Sequence, residues 1–209
     1  MAHTTVSSTG LPSPKVSQSE TTATPEIRVL DVAEARQHQL ALAEVLVDAV
    51  QGGASVSFML PFTNADAMAF FDKVITGIEN RERLLFTAWL GDSLVGTVQL
   101  VTALPPNQPH RAEVAKLLVH RKARGLGIGQ LLMQHLEQHA RTLGKSLLVL
   151  DTVTGDTAER LYERLGWTRA GVIPEYALYP DGRPCSTTIF YKLLDVLNPF
   201  GPVLPQQSR

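Results

Sequence analysis

The chain is poor in the features that mark several large classes of protein. It has one cysteine, Cys185, in 209 residues, so no internal disulfide can form. A reducing, cytoplasmic setting is expected. It lacks an excess of either charge: 19 Lys and Arg against 20 Asp and Glu leave a formal net charge of −1. Nucleic-acid-binding domains usually carry a basic surplus, so no nucleic-acid partner is expected and any basic site must be local. No apolar run approaches the ~20 residues that a membrane helix needs. The N-terminus has no apolar stretch of signal-peptide length, and no membrane partner is expected. His110 has no second histidine or cysteine at ligand spacing, which argues against a metal. What remains is 44% hydrophobic and 19% charged, the composition of one globular domain. A chain of this length can bury a core without staples, as a monomer or a homodimer.

The first 25 residues contain 14 Ser, Thr or Pro and almost no large apolar side chain. Too little can be buried there to offset the entropy of ordering, so residues 1–25 are expected to be a disordered tail. The proline-broken segment 196–209 is expected to be another tail, leaving a domain over 26–195. Inside it the hydrophobic period switches repeatedly. IRVL (27–30) reads as a strand. Helical spacing from Val32 to Val50, with Leu40, Ala43, Leu46 and Val47 on its apolar side, ends at Gly52-Gly53. A second helix covers 64–80, capped by Thr63 or Asn64. Residues 84–90 and 93–103 read as a hairpin about Gly91-Asp92. A strand at 112–119 follows, then a helix from about Ile128 to Leu143, and a strand at 146–152. A short helix over 156–166 starts at Asp156, and final strands lie near 167–172 and 186–194. This order implies an α/β fold with a sheet of mixed direction.

Between the strand at 112–119 and the helix from Ile128 lies RKARGLGIGQLLM (121–133). The first amides of a helix have no internal partner, and the helix dipole adds positive potential there. Glycines allow close approach of a ligand, so strand, glycine turn and helix together suit a phosphate group. The segment lacks the GK[ST] ending of a Walker loop, and Gly125, Gly127 and Gly129 do not have the GxGxxG spacing of a dinucleotide fold. A plain connecting loop is the competing reading.

Arg124-Gly125-Leu126-Gly127-Ile128-Gly129 matches the pattern R/Q-x-x-G-x-G/A, and AERLYERLGW (158–167) matches A-x-x-LYEKLGF. These two stretches resemble the GCN5-related N-acetyltransferases (GNAT). The resemblance implies a GNAT fold: a mixed, mostly antiparallel sheet with a central splayed parallel strand pair, flanked by about four helices. It also implies acetyl-CoA as co-substrate. Leu117, Leu118 and Val119 would line its pantetheine arm, and Arg124, Gly125, Leu126, Gly127, Ile128, Gly129 and Gln130 would wrap its pyrophosphate. VQGGASVSFML (50–60), HRAEVAKLLVHRKARGLGIGQLLM (110–133) and LDTVTG (150–155) are similar to the tabtoxin-resistance type within that superfamily. Gly155 departs from the Asn common in the wider superfamily and agrees with the narrower group. That group acetylates the amine of a small β-lactam-containing amino acid, so resistance to, or synthesis of, an amino-acid antibiotic is implied.

Acetyl transfer needs a base for the ammonium, a donor for the oxyanion and a proton for the leaving thiolate. The resemblance assigns the oxyanion to the amide of Leu117 or Leu118. Glu113 and Asp151 are the candidate acids, either one being the base. The competing readings are a strand glutamate paired with Arg111 or Lys116, and a turn aspartate. Tyr162 would protonate the thiolate, or it is simply core. Gly53, Ser55 and Phe58 are candidates for the acceptor wall, with Asn107, His110 and Tyr176 as weaker ones. Cys185 has no evident base beside it, which argues against a thiol intermediate. The leading expectation is direct transfer of acetyl to a small amino-acid-like amine. The alternatives are a protein or peptide acceptor, a different acyl-CoA or carrier thioester, and a non-catalytic CoA sensor.

Overall fold

A computed structural model describes residues 24–195. The expected tails over 1–25 and 196–209 lie outside the described residues, except for Thr24 and Pro25, which lead into the first strand.

Seven strands form one open sheet: β1 (Glu26–Leu30), β2 (Arg83–Leu90), β3 (Ser93–Val101), β4 (Arg111–Val119), β5 (Leu147–Val153), β6 (Thr168–Leu178) and β7 (Pro184–Leu193). Their spatial order is β1-β2-β3-β4-β5-β7-β6, and only β4 and β5 run parallel. Five helices cover the faces: α1 (Val32–Gln37), α2 (Gln39–Gln51), α3 (Asn64–Glu79), α4 (Ile128–Thr142) and α5 (Thr157–Arg164). Among the described residues no helix is long and apolar enough to cross a membrane.

Alternation along the strands feeds two cores. Val98, Leu100, Ala112, Val114, Leu148 and Leu150 meet Leu132, Met133 and Leu136 of α4 on one face. Leu85, Trp89 and Leu118 meet Leu42, Leu46, Phe71 and Ile75 of α2 and α3 on the other. Each fully buried aliphatic or aromatic side chain contributes about 1.5–3 kcal/mol, so the sheet is held from both sides.

The helix expected over Val32 to Val50 is broken. His38, at φ −103° and ψ 14°, ends α1 and begins α2, with its ring edge-on to Trp89 at 4.8 Å. The bend lets α2 bury Leu42, Leu46, Ala49 and Val50, and it turns Leu40 outward to 54% exposure. Leu143 likewise falls on the C-cap of α4 rather than within its apolar stripe. Thr63, not Asn64, caps α3, in a reciprocal pair with Asp66. Asp156 caps α5 as expected, accepting from the Thr157 amide. Both final strands are longer than the apolar runs suggest, because the antiparallel pairing of β6 and β7 extends into polar residues.

Candidate active site

β4 and β5 pair only at Arg111↔Leu147, Ala112↔Leu148 and Glu113↔Val149. Beyond that, β5 stays paired with β7 through Val153 while β4 stays paired with β3. A cleft therefore opens between the second halves of the two parallel strands. The position just outside the carboxyl ends of parallel strands is the usual place for a ligand.

β4 also carries a bulge. As β3 passes from Gln99 to Thr97, β4 passes from Ala115 to Leu118, and the extra residue puts Lys116 in the left-handed region at φ 54°. Such a conformation in a long side chain is strained and occurs where the surroundings impose it. The bulge turns the strand over. Ala112 and Val114 pack towards α4 before it, and Leu117 and Val119 do so after it. Leu118 now belongs to the α2–α3 side.

Strand alternation places Glu113 and Asp151 on one face. Their neighbours Ala112, Val114, Leu148 and Leu150 all point to the α4 side. Lys116 is on the Glu113 and Asp151 face too, since its ammonium donates to Ser57 Oγ at 3.0 Å and lies 5.9 Å from the centre of the Phe58 ring. Burial lowers the pKa of this lysine, and the Asp151 carboxylate partly opposes the shift.

The connection between α2 and α3 roofs this face. Ser55 Oγ donates to the Leu178 carbonyl at 2.7 Å, the Leu60 amide to the Pro180 carbonyl at 3.0 Å, and the buried Cys185 thiol to Ser55 Oγ at 3.5 Å. These bonds tie the connection to the β6–β7 hairpin. Phe58 is wedged against Phe62 and Phe70, with ring centres 4.7 and 5.3 Å apart. Gly53, at φ 85°, lines a cavity of about 250 Å³ with Leu60, Tyr179 and Arg183.

The expected acceptor residues thus divide. Phe58 meets Lys116, Ser55 is committed to β6, and Gly53 faces the β6–β7 turn. Tyr176 is exposed on β6. Asn107 and His110 lie in the loop that enters β4, where the His110 carbonyl accepts from Ser146 and Leu147 at the start of β5. That is the paired end of the two strands, about 20 Å of extended chain before Lys116.

The acids differ in their surroundings. Glu113 Oε1 accepts from Arg111 at 2.9 Å, and Arg111 also grips Gln108. The pairing raised as the competing reading of Glu113 is therefore present. Asp151 is exposed and has no such partner among the described ion pairs. Tyr162, on α5, is 5% exposed and packs between Trp167 and Phe190. Burial, then the carboxylates of Asp151 and Asp156, raises its pKa well beyond the usual phenol range. Its hydroxyl stays protonated.

The glycine segment forms a compact turn at the other end of β4. Arg121–Ala123 make one 3-10 turn, and Arg124 Nε returns to the Val119 carbonyl at 3.2 Å. Gly127 is the N-cap of α4 at φ 75° and leaves the first turn without a side-chain cap. The amides of Ile128, Gly129 and Gln130 are therefore open to a ligand acceptor. A Cβ on Gly129 would come within 3.2 Å of the end of the Leu161 side chain on α5, a close contact that Leu161 would have to yield to. Uncapped amides, a left-handed glycine and a basic flank suit the pyrophosphate of a coenzyme.

One residue at this end, Asp48, is absent from the expectations, and Lys116, in the middle of β4, entered them only as a possible partner of Glu113. Asp48, buried near the end of α2, accepts from the Arg121 amide at 2.9 Å and forms a close ion pair with the Arg121 guanidinium, while His120 lies 3.5 Å away. Burial raises its pKa, but the Arg121 hydrogen bonds and the nearby cations outweigh this and leave it lowered. A lone acid inside VLVDAV was the available signal. Lys116, a second charge after Glu113 in the otherwise apolar AEVAKLLV, was the other. Among the described residues no group of three His, Cys, Asp or Glu is positioned to hold a metal ion.

The family model described as Acetyltransferase (GNAT) family matches residues 54–167. Solved structures share the fold. An N-acetyltransferase from Staphylococcus aureus Mu50 superposes with a TM-score of 0.70 at 21% identity, covering 83% of this chain and all of its own. A protein of Salmonella typhimurium, solved with its cofactor acetyl-CoA, gives 0.67 at 21% identity over 82% of this chain and 94% of its own. A ribosomal-protein-alanine N-acetyltransferase from Brucella melitensis gives 0.66 at 22% identity over 81% and 99%.

Proposed function

Because the chain belongs to the acetyltransferase (GNAT) family, we propose that it moves acetyl from acetyl-CoA directly to the primary amine of a small amino-acid-like molecule. The observation that carries this reading is the cleft between β4 and β5, with the uncapped start of α4 at one end and Lys116 and Asp151 on one face beside it.

Acetyl-CoA supplies the activated acyl group. Its pyrophosphate is held by the amides of Ile128, Gly129 and Gln130, with Arg124 beside them. The pantetheine arm follows Leu117 to Val119 along the free side of β4. Asp151, or Glu113 if it leaves Arg111, takes the proton that the acceptor ammonium must lose. Asp151 is the better base, because Glu113 is already engaged. The Leu117 or Leu118 amide donates to the oxygen that gains charge as the amine attacks. The C–N bond forms, the C–S bond breaks, the departing thiolate takes the proton of the Tyr162 hydroxyl, and the second proton released by the acetylated nitrogen restores that hydroxyl. A screen of amines with acetyl-CoA, read by thiol release, tests the reading; no release with any amine overturns it.

A peptide acceptor is the second reading. It is favoured by the exposed apolar residues Val172, Ile173, Tyr176 and Leu178 on the edge strand β6, whose free backbone edge suits an extended chain.

A further inference from the structure

Lys116 lies where a charged side chain is expensive to keep. It interrupts an apolar strand, takes a left-handed backbone at the β4 bulge, and points under the α2–α3 connection. Its described contacts are one hydroxyl, Ser57 Oγ, and one ring face, Phe58. Neither neutralises it. Among the described residues no carboxylate comes within ion-pair distance of its ammonium. Asp151 acts on it through charge alone. A partly desolvated ammonium without a counter-ion gains most from an anion delivered by a ligand.

The nearby charges have opposite sign but are kept apart. Asp151 stands on β5, on the far side of the parting from Lys116, and both point to the α2–α3 face of the sheet. If they touched, they would satisfy each other and leave nothing for a ligand. Held separately, they form the complement of a zwitterion, with the ligand ammonium towards Asp151 and its anionic group towards Lys116. Ser57, itself in the left-handed region at φ 78°, steadies the lysine with a hydrogen bond that leaves two ammonium protons to donate.

We propose that Lys116 is the residue that recognises the carboxylate of the acceptor, so that the acceptor is a free amino acid or a close analogue of one rather than a simple amine. This rests on the acetyl-transfer reading above. It adds what that reading leaves open, namely which part of the acceptor is recognised besides the amine. A simple amine would leave Lys116 uncompensated, and an acceptor whose carboxyl is amidated would bring no charge to it.

The test compares free L-amino acids with their α-carboxamides as acceptors, read by thiol release at saturating acetyl-CoA. Wild-type protein should favour the acid in kcat/KM by roughly tenfold to a hundredfold, the range of a hydrogen bond to a charged group. Lys116→Met should collapse that ratio towards one, mainly through KM for the acid. Lys116→Arg should keep most of it. A thermal shift with acetyl-CoA shows that each variant is folded. If amines are acetylated but wild type treats acids and amides alike, the Lys116 proposal is wrong and the acetyl-transfer reading stands. It is equally wrong if Lys116→Met keeps the full preference. Calorimetric titration of the same pairs into CoA-loaded protein decides the point even if no pair turns over: a stronger acid signal supports the assignment, and equal or absent binding of the acids overturns it.

Discussion

The ammonium of Lys116 on β4 and the hydroxyl of Ser57 in the α2–α3 connection lie 3.0 Å apart, though 59 residues separate them in the chain. This hydrogen bond joins the strand beside the parting of β4 and β5 to the roof above it. It lies between the glycine turn at one end of β4 and the charged face at its middle.

Removal of the Asp151 carboxylate should lower turnover more than removal of the Glu113 carboxylate. Asp151→Asn is expected to lose on the order of 10²–10⁴ in kcat if it is the general base. Glu113→Gln should lose less, because Glu113 already spends one oxygen on Arg111. The acetyl-CoA-induced melting shift should stay near wild type in both. Undiminished activity in both variants would end the proposal that carboxylates handle the ammonium.

Tyr162→Phe keeps the ring between Trp167 and Phe190 and removes only the hydroxyl. Stability should change by no more than about 1 kcal/mol, while kcat falls. The sign of the pKa shift adds a second readout. Burial and the Asp151 and Asp156 carboxylates push the phenol upward, so it stays neutral through the ordinary tyrosine range. The alkaline limb of the wild-type pH–rate profile should therefore be unchanged in shape when Tyr162 is replaced.

Gly127→Ala places a Cβ on a left-handed N-cap, at a cost of about 1–2 kcal/mol. Gly129→Ala brings a methyl to within 3.2 Å of the Leu161 side chain, which must shift by a few tenths of an ångström, and narrows the approach to the first amides of α4. Both should weaken acetyl-CoA binding, measured by calorimetry or by loss of the melting shift. A full melting shift in both variants would contradict the assignment of this turn to the coenzyme.

Asp48→Asn should loosen Arg121 and with it the start of the glycine turn, lowering stability by about 1.5–3 kcal/mol, as for hydrogen bonds to charged groups. The Asp48 pKa is lowered in the fold, so its contribution is complete above the ordinary aspartate range and is lost as pH falls through the lower folded value. Denaturant melts over an acid series should show a steeper acid loss for wild type than for Asp48→Asn.

Much of this protein was legible in one dimension. The glycines at 125, 127 and 129, the cap at Asp156 and the apolar periods of α3, α4 and β5 are local signals, and the structure realises them where they fall. Strand alternation around Asp151 was equally readable from SLLVLD. The break at His38 was not, because helical spacing continues across it and only the packing against Trp89 decides where the chain bends. Asn107 and His110 are near β4 in sequence but sit at its paired end, since strand direction sets which end of a strand meets a ligand.

The sequence by itself determined the glycine turn and the family resemblance, because both rest on residues a few positions apart whose backbone preferences are local. Only the tertiary structure decided the charged face. The bulge that turns β4 over, the pairing of Glu113 with Arg111, and the meetings of Lys116 with Ser57 and Asp48 with Arg121 depend on strands and loops brought together from distant parts of the chain. Side-chain direction at a bulge and the partner of a charge are properties of packing, which no local period records.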